Sequence, residues 1–262
     1  MKSIITVIIA ATLVVFTPTK AQTPEEKGLN ISKKAELADN GWGNYSSTSV
    51  MTLKNRNGQT TTRKTHGYFM EVEGDGDKSL TIFDTPKDVK GTASMTFTHK
   101  VGDDDQWLYL PSIKRVKRIS SSNKSGPFMG SEFAFEDLSS QEVEKYKHKY
   151  IGLVKLNGVV CYKLERYPIA KTSGYKKVIA YLNKENYRPE KVIFYDRKDS
   201  KLKTLTYSSY KKYAGKYWRA NQMKMVNHQN GKETLLNFSN MKFNDETITE
   251  ETYTQNSLKR AK

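Results

Sequence analysis

The sequence predicts an α+β fold, mainly antiparallel β, in which a curved half-barrel sheet carries a few helices over its concave side. Three observations predict it. About a dozen strand-like segments follow one another through short turns, and Asn57-Gly58 and Asn230-Gly231 are strong hairpin signals. No regular alternation of strand and helix runs along the chain, which excludes a doubly wound parallel sheet. Only two or three stretches read as helical. A sheet this wide must curl, and its inner face must then be covered by those helices, an arrangement that commonly encloses an apolar cavity.

The elements follow in order. Residues 1–21 read as a secretory signal peptide: Lys2 is the positive start, Ile4 to Phe16 is apolar, and Thr19-Lys20-Ala21 is a small-x-small cleavage site. The apolar run is shorter than the roughly 20 residues that a membrane-spanning helix needs. Residues 22–262 are expected to form one exported domain. Its first element is a helix, with Thr23 as cap, Pro24 in the first turn and Glu26 completing a capping box. Leu29, Ala35, Leu37 and Ala38 supply an irregular apolar stripe, and Gly41 and Gly43 end the helix. Alternating segments then run to Ile119. Ser120 to Gly126 is a polar loop, followed by a concentrated apolar patch of Phe128, Met129, Phe133, Phe135 and Leu138, the best candidate for a lid or cavity rim. A short helical stretch starts at Ser139 or Ser140. From Gly152 the chain is a meander with short turns, hence antiparallel pairing. The polar residues from Asp245 onward are expected to fray.

Composition narrows the function. The chain of 262 residues has 44 Lys and Arg against 28 Asp and Glu, a formal net charge of +16. That balance permits nucleic acid, anionic lipid or acidic glycan as partner. Export argues against nucleic acid, and the bases are spread over nearly every strand and turn. Hydrophobic residues are only 36%, so the 16 Tyr, 10 Phe and 3 Trp must fill much of the core. Cys161 is the one cysteine, so the sequence holds no disulfide pair; in "GVVCYKLERY" it reads as a small buried hydrophobe.

Catalytic motifs are missing. His66, His99, His148 and His228 have no metal-like spacing, and His148 sits in a charged run that suggests a solvent-facing side chain. Asp103 to Asp105, and Asp75 with Asp77, read as turn residues rather than a calcium loop. There is no nucleophile elbow, zinc-protease motif, phosphate loop or dinucleotide fingerprint. Glu136 and Glu165 could pair with other carboxylates as in a glycosidase, but only the distance within such a pair would decide that. The expectation is a non-enzyme without metal or cofactor.

"FDTPKDVKGTASMTF", "DDQWLYLPSIKRVKRIS" and "GPFMGSEFAFEDL", in this order, resemble the outer-membrane lipoprotein-sorting protein family, the LolA-like group. "GWGNYSSTSVMTL", "GVVCYKLERYP" and "GKYWRANQMKMVNHQNGKETLL" continue the resemblance over most of residues 22–262, with mild departures at Asn44 and Glu132. The resemblance implies a periplasmic half-barrel with helices over its mouth and an apolar cavity for acyl chains. It also implies an export pump of the resistance-nodulation-division type as a partner.

The leading expectation is thus a monomeric periplasmic carrier for a lipid or lipidated protein. Burying a chain releases roughly 0.8 kcal/mol per CH₂, so no catalytic group is needed to hold it. A cargo-free module docking on an exporter and an envelope hydrolase are the alternatives. Phe128, Met129, Phe133 and Phe135 are candidates for the rim or lining; the bland alternative is plain core. Trp107 and Tyr109 share one strand face and Leu108 and Leu110 the other, and the first pair is favoured as inward. Arg115 or Arg118 is expected to pair with Glu132, Glu136 or Asp137, bracing the lid. Contact of these bases with an anionic membrane surface is the second choice.

Overall fold

The computed structural model describes residues 21–260. Residues 1–20 of the expected signal peptide lie outside them. Helix α1 (Pro24–Asp39) starts with the expected capping box: the Thr23 hydroxyl accepts from Glu26 N at 3.1 Å, and the Glu26 carboxylate accepts from Thr23 N at 2.9 Å. Its buried face differs from the expected stripe. Gly28, Ile31 and Ser32 are buried, whereas Leu29 and Leu37 are 37% and 67% exposed. The reason is close approach. A Cβ on Gly28 would stand 2.8 Å from the backbone nitrogens of Lys149 and Tyr150, so this glycine lets the helix back directly onto a strand.

Thirteen strands form one sheet. The first group is β1 (Asn44–Lys54), β2 (Thr60–Met70), β3 (Lys78–Thr85), β4 (Ala93–Phe97), β5 (Asp105–Leu110) and β6 (Arg115–Ile119). The second is β7 (Tyr146–Leu156), β8 (Val159–Pro168), β9 (Tyr175–Asn183), β10 (Pro189–Asp196), β11 (Lys201–Tyr213), β12 (Tyr217–Asn227) and β13 (Glu233–Phe243). Their order is β6-β5-β4-β3-β2-β1-β13-β12-β11-β10-β9-β8-β7. Every neighbour is antiparallel, as short turns require. The last strand returns to pair with the first, Tyr45 opposite Phe243, and β6 and β7 are left as open edges. The fold is the expected open, curved antiparallel sheet with few helices.

Residues 120–145 connect the two edge strands by crossing the concave face. Phe128 and Phe135 pack among Met51, Phe83, Val89 and Leu108. Phe133 packs among Tyr175, Val178, Phe194, Leu205 and Met225. This segment joins the inner faces of the two halves into continuous core. The pleat of β5 is opposite to the one favoured above. Leu108 and Leu110 face the crossing segment, while Trp107 and Tyr109 join the convex cluster of Leu80, Ile82, Ala93 and Met95. That face is buried because the C-terminal segment covers it. Ile248, Tyr253 and Leu258 pack there, Leu258 fully buried on α2 (Gln255–Arg260). The chain end before residue 261 is therefore docked, not frayed. Among the described residues no helix is long and apolar enough to cross a membrane.

Candidate functional site

A cavity of ≈ 880 Å³ remains between α1, residues 137–143 and the concave face of β8 to β13. Strand alternation builds its apolar floor. Val178, Ala180 and Leu182 recur at every second position of β9; Val192 and Phe194 do so on β10, and Leu205 and Tyr207 on β11. Met223, Phe238 and Met241 extend the floor toward β13.

One cross-strand row carries the electrostatics. His148, Arg166, Val178, Phe194 and Lys203 lie opposite one another across β7 to β11. His148 is buried, not solvent-facing: its Nε2–H donates to Val143 O at 2.8 Å and its Nδ1 accepts from the Ser32 hydroxyl at 2.8 Å. Burial lowers its pKa, with the nearby Arg166 charge adding to the effect. The neutral ring thus ties α1 to residue 143. At the other end Lys203 is buried at 4% exposure. It donates to Asp137 Oδ2 at 2.5 Å and to Glu132 O at 3.0 Å. Asp137 also accepts from Tyr175 OH at 2.7 Å and from Ala134 N at 2.7 Å. Arg166, between these two, lines the cavity, and its Nε is sealed from solvent without a hydrogen-bond partner among the described residues. Burial lowers its pKa, and the Tyr146 and Tyr207 hydroxyls act against that.

The remaining lining bases are matched. Lys100 meets Glu36 at 3.0 Å, and Arg188 meets Glu190 at 3.0 Å while lying over Tyr210 and Trp218. Arg219 meets Asp39 at 2.6 Å and lies over Trp42, Tyr45, Tyr217 and Phe243. Lys216 donates to Asn40 O at 2.6 Å. Arg219 on β12 and Lys216 in the turn before it latch the end of α1. An acidic seam runs along the opposite wall. Burial pushes Asp77 up to about 6 and Glu142 up to about 7, the latter aided by the Asp77 and Glu36 charges. Glu36, Glu142 and Glu144 bring their carboxylates together there.

The residues singled out from sequence occupy other places. Trp107, Tyr109, Phe128, Met129, Phe133 and Phe135 do not line this cavity; they pack in the clusters described above. The expected Arg115 or Arg118 brace does not form. The two lie on an edge strand and are exposed, and Arg118 pairs with Asp105 instead. Glu132 accepts from Asn227 Nδ2 at 2.7 Å and Asn230 Nδ2 at 3.2 Å. Glu136 accepts from Ser173 Oγ at 2.9 Å and Gly174 N at 3.0 Å. Asp137 goes to Lys203. The crossing segment is fastened by Lys203 of β11 and by Arg63 of β2, which donates to Met129 O. Glu165 accepts from Tyr167 OH and shares no partner with Glu136. Lys203, Arg63 and Arg166 escaped the sequence reading, although alternation marks two of them. Arg166 follows Tyr162 and Leu164 at every second position, and Lys203 precedes Leu205 and Tyr207 in the same way.

Comparison with solved structures places this arrangement. A domain from Vibrio parahaemolyticus described as an outer membrane lipoprotein-sorting protein is 54% identical, covers 90% of this chain and 100% of its own, and superposes with a TM-score of 0.88. The chain belongs to this lipoprotein-sorting, LolA-like family. A DUF1329 family protein from Desulfovibrio piger is similar at 29% identity, with a TM-score of 0.84 over 90% of this chain and 100% of that one. A LolA superfamily protein from Nitrosomonas europaea, 20% identical with the same coverages and a TM-score of 0.70, shares the fold. The family profile that matches residues 75–260 is described as "-like: Uncharacterized protein". No curated protein matches the chain. The LolA-like sheet thus supplies the concave wall, and α1 with residues 137–143 closes the space over it.

Proposed function

We propose that this LolA-like protein is a periplasmic carrier that holds the acyl chains of a lipid or lipidated protein in the ≈ 880 Å³ cavity. The observation that carries the reading is the apolar floor of β9 to β13 beneath α1, a helix held by a small apolar cluster around Ile31, Leu164 and Leu182 and by polar contacts. A volume of this size lies in the range of small-molecule sites. Each buried CH₂ contributes roughly 0.8 kcal/mol, so a chain can be retained without covalent chemistry. Release then needs α1 to lift, which exchanges the Asp39–Arg219, Glu36–Lys100 and Ser32–His148 contacts for water. The two ion pairs are partly exposed and individually weak, and the apolar cluster beneath the helix is small, which suits a cover that must open. The reading includes removal of residues 1–21 on export and a single carrier domain after them. An exporter of the resistance-nodulation-division type is the partner to seek by co-purification.

Native mass spectrometry of protein purified from its own envelope tests this. Co-purifying lipid, and uptake of a labelled fatty acid or lipopeptide after delipidation, are the expected results. Stripped protein that takes up neither probe overturns the carrier reading.

A further inference from the structure

The lining bases are not equivalent. Lys100, Arg188 and Arg219 each hold a carboxylate, and Lys216 holds a carbonyl. Arg166 has no such partner among the described residues: its Nε is shut off from water and unpaired, while the residue as a whole is half-buried. A guanidinium in low-dielectric surroundings without an acid costs several kcal/mol and is ordinarily paired. An arginine cannot escape the cost by losing its proton. Its surroundings could have supplied an acid. Asp137 lines the same cavity, yet Lys203 takes it. The neighbours that Arg166 does have are Tyr146, Tyr207 and the ring of His148, held neutral between Ser32 and Val143. Val178 beside it in the row is 2% exposed and begins the apolar floor. A fork of N–H donors therefore stands at the edge of a surface suited to an alkyl chain.

We propose that Arg166 binds a terminal oxyanion of the cargo, a carboxylate or a phosphate, so that the cavity takes an anionic single-chain amphiphile head to Arg166 and tail along β9 to β13. The inference rests on the carrier reading. A planar guanidinium matches both anions in bidentate geometry, and the dry wall strengthens the pairing. Four acids of the opposite wall do not compete. Asp39 and Glu36 have their own cations, and the pKa values of Asp77 and Glu142 are raised by burial.

Delipidated full-length protein is titrated with three probes: a long-chain fatty acid, its methyl ester, and a single-chain lipid with a phosphate head. The measurement is repeated on Arg166→Gln and Arg166→Met. The expected result is that one anion or both bind at least about tenfold more tightly than the ester, and that this preference disappears in the variants while ester binding stays. The tighter anion identifies the source of the head group. Equal binding of ester and anions, or a preference that survives in Arg166→Gln, overturns the head-group assignment and leaves the carrier reading standing. Uptake of none of the three overturns both. If the variants do not fold, the ester-to-anion ratio of the unsubstituted protein decides alone.

Discussion

Lys203 and Arg166 lie on one cross-strand row, separated by Phe194 and Val178, and both bring a cation to the concave face. Their surroundings differ. Lys203 sits where the crossing segment descends onto the sheet, and that segment delivers Asp137 and the Glu132 carbonyl to it. Arg166 sits three strands away, where the segment has passed and the cavity begins. The same backbone position thus serves two purposes. Where the sheet is covered by its own chain, the charge is matched by its own chain and fixes the cover. Where the sheet faces a cavity, the charge is left for something else.

The sharpest way to break this comparison is to remove the partner of Lys203. Asp137→Ala should destabilise the protein by about 3–5 kcal/mol in denaturant unfolding, because it strands a buried ammonium. A loss under about 1 kcal/mol would mean that Lys203 reaches water and is no internal brace. The double change Lys203→Met with Asp137→Leu should recover part of that loss, since the stranded charge is gone but Tyr175 OH and Ala134 N still lose their acceptor.

The opposite sign is expected at the other end of the row. Arg166→Met should leave the ligand-free protein unchanged or up to about 2 kcal/mol more stable, because no paired carboxylate is abandoned. A loss as large as that of Asp137→Ala would erase the distinction between the two sites.

The acidic seam gives an intermediate effect that pH exposes. Glu142 has a folded pKa of about 7 against an ordinary value of 4.5, so the folded state binds its proton more tightly. Its contribution is fully present below about 4.5 and is lost as pH rises through about 7. Melting temperature should therefore fall between those values, and Glu142→Gln should flatten that fall and gain about 1–3 kcal/mol at pH 8. A profile identical to that of the unsubstituted protein would place Glu142 in water. The smallest effect is expected outside the row. Arg118→Ala on edge strand β6 should change stability by less than about 0.5 kcal/mol, as exposed pairs do. A larger loss would restore a bracing role to that strand.

Much of this was legible in particular residues. Thr23, Pro24 and Glu26 write the start of α1, since capping is a local matter of three side chains and their own backbone. Asn57-Gly58 and Asn230-Gly231 mark hairpins for an equally local reason. The block from Phe83 to Leu138 carried most of the family resemblance. The cavity residues were harder. Aromatic density at Phe128, Phe133 and Phe135 signals burial, but core and pocket have the same composition. The face of Trp107 was misjudged because alternation separates two faces without naming the inner one. That choice depended on the C-terminal segment, whose Ile248, Tyr253 and Leu258 stand too far apart to announce a docked surface. His148 was misplaced for a related reason: its charged sequence neighbours hide the burial created by Ser32, which lies 116 residues earlier.

The sequence by itself determined the elements, the antiparallel pairing, the basic surface and the family, because each follows from periodicity, turn chemistry or a contiguous motif. Tertiary structure alone decided which inward-facing cation is answered by its own chain and which is not. Lys203 and Arg166 look alike along their strands, each at every second position among apolar residues. Their difference lies in where residues 120–145 cross the sheet, and a carboxylate can neutralise only the charge that it reaches.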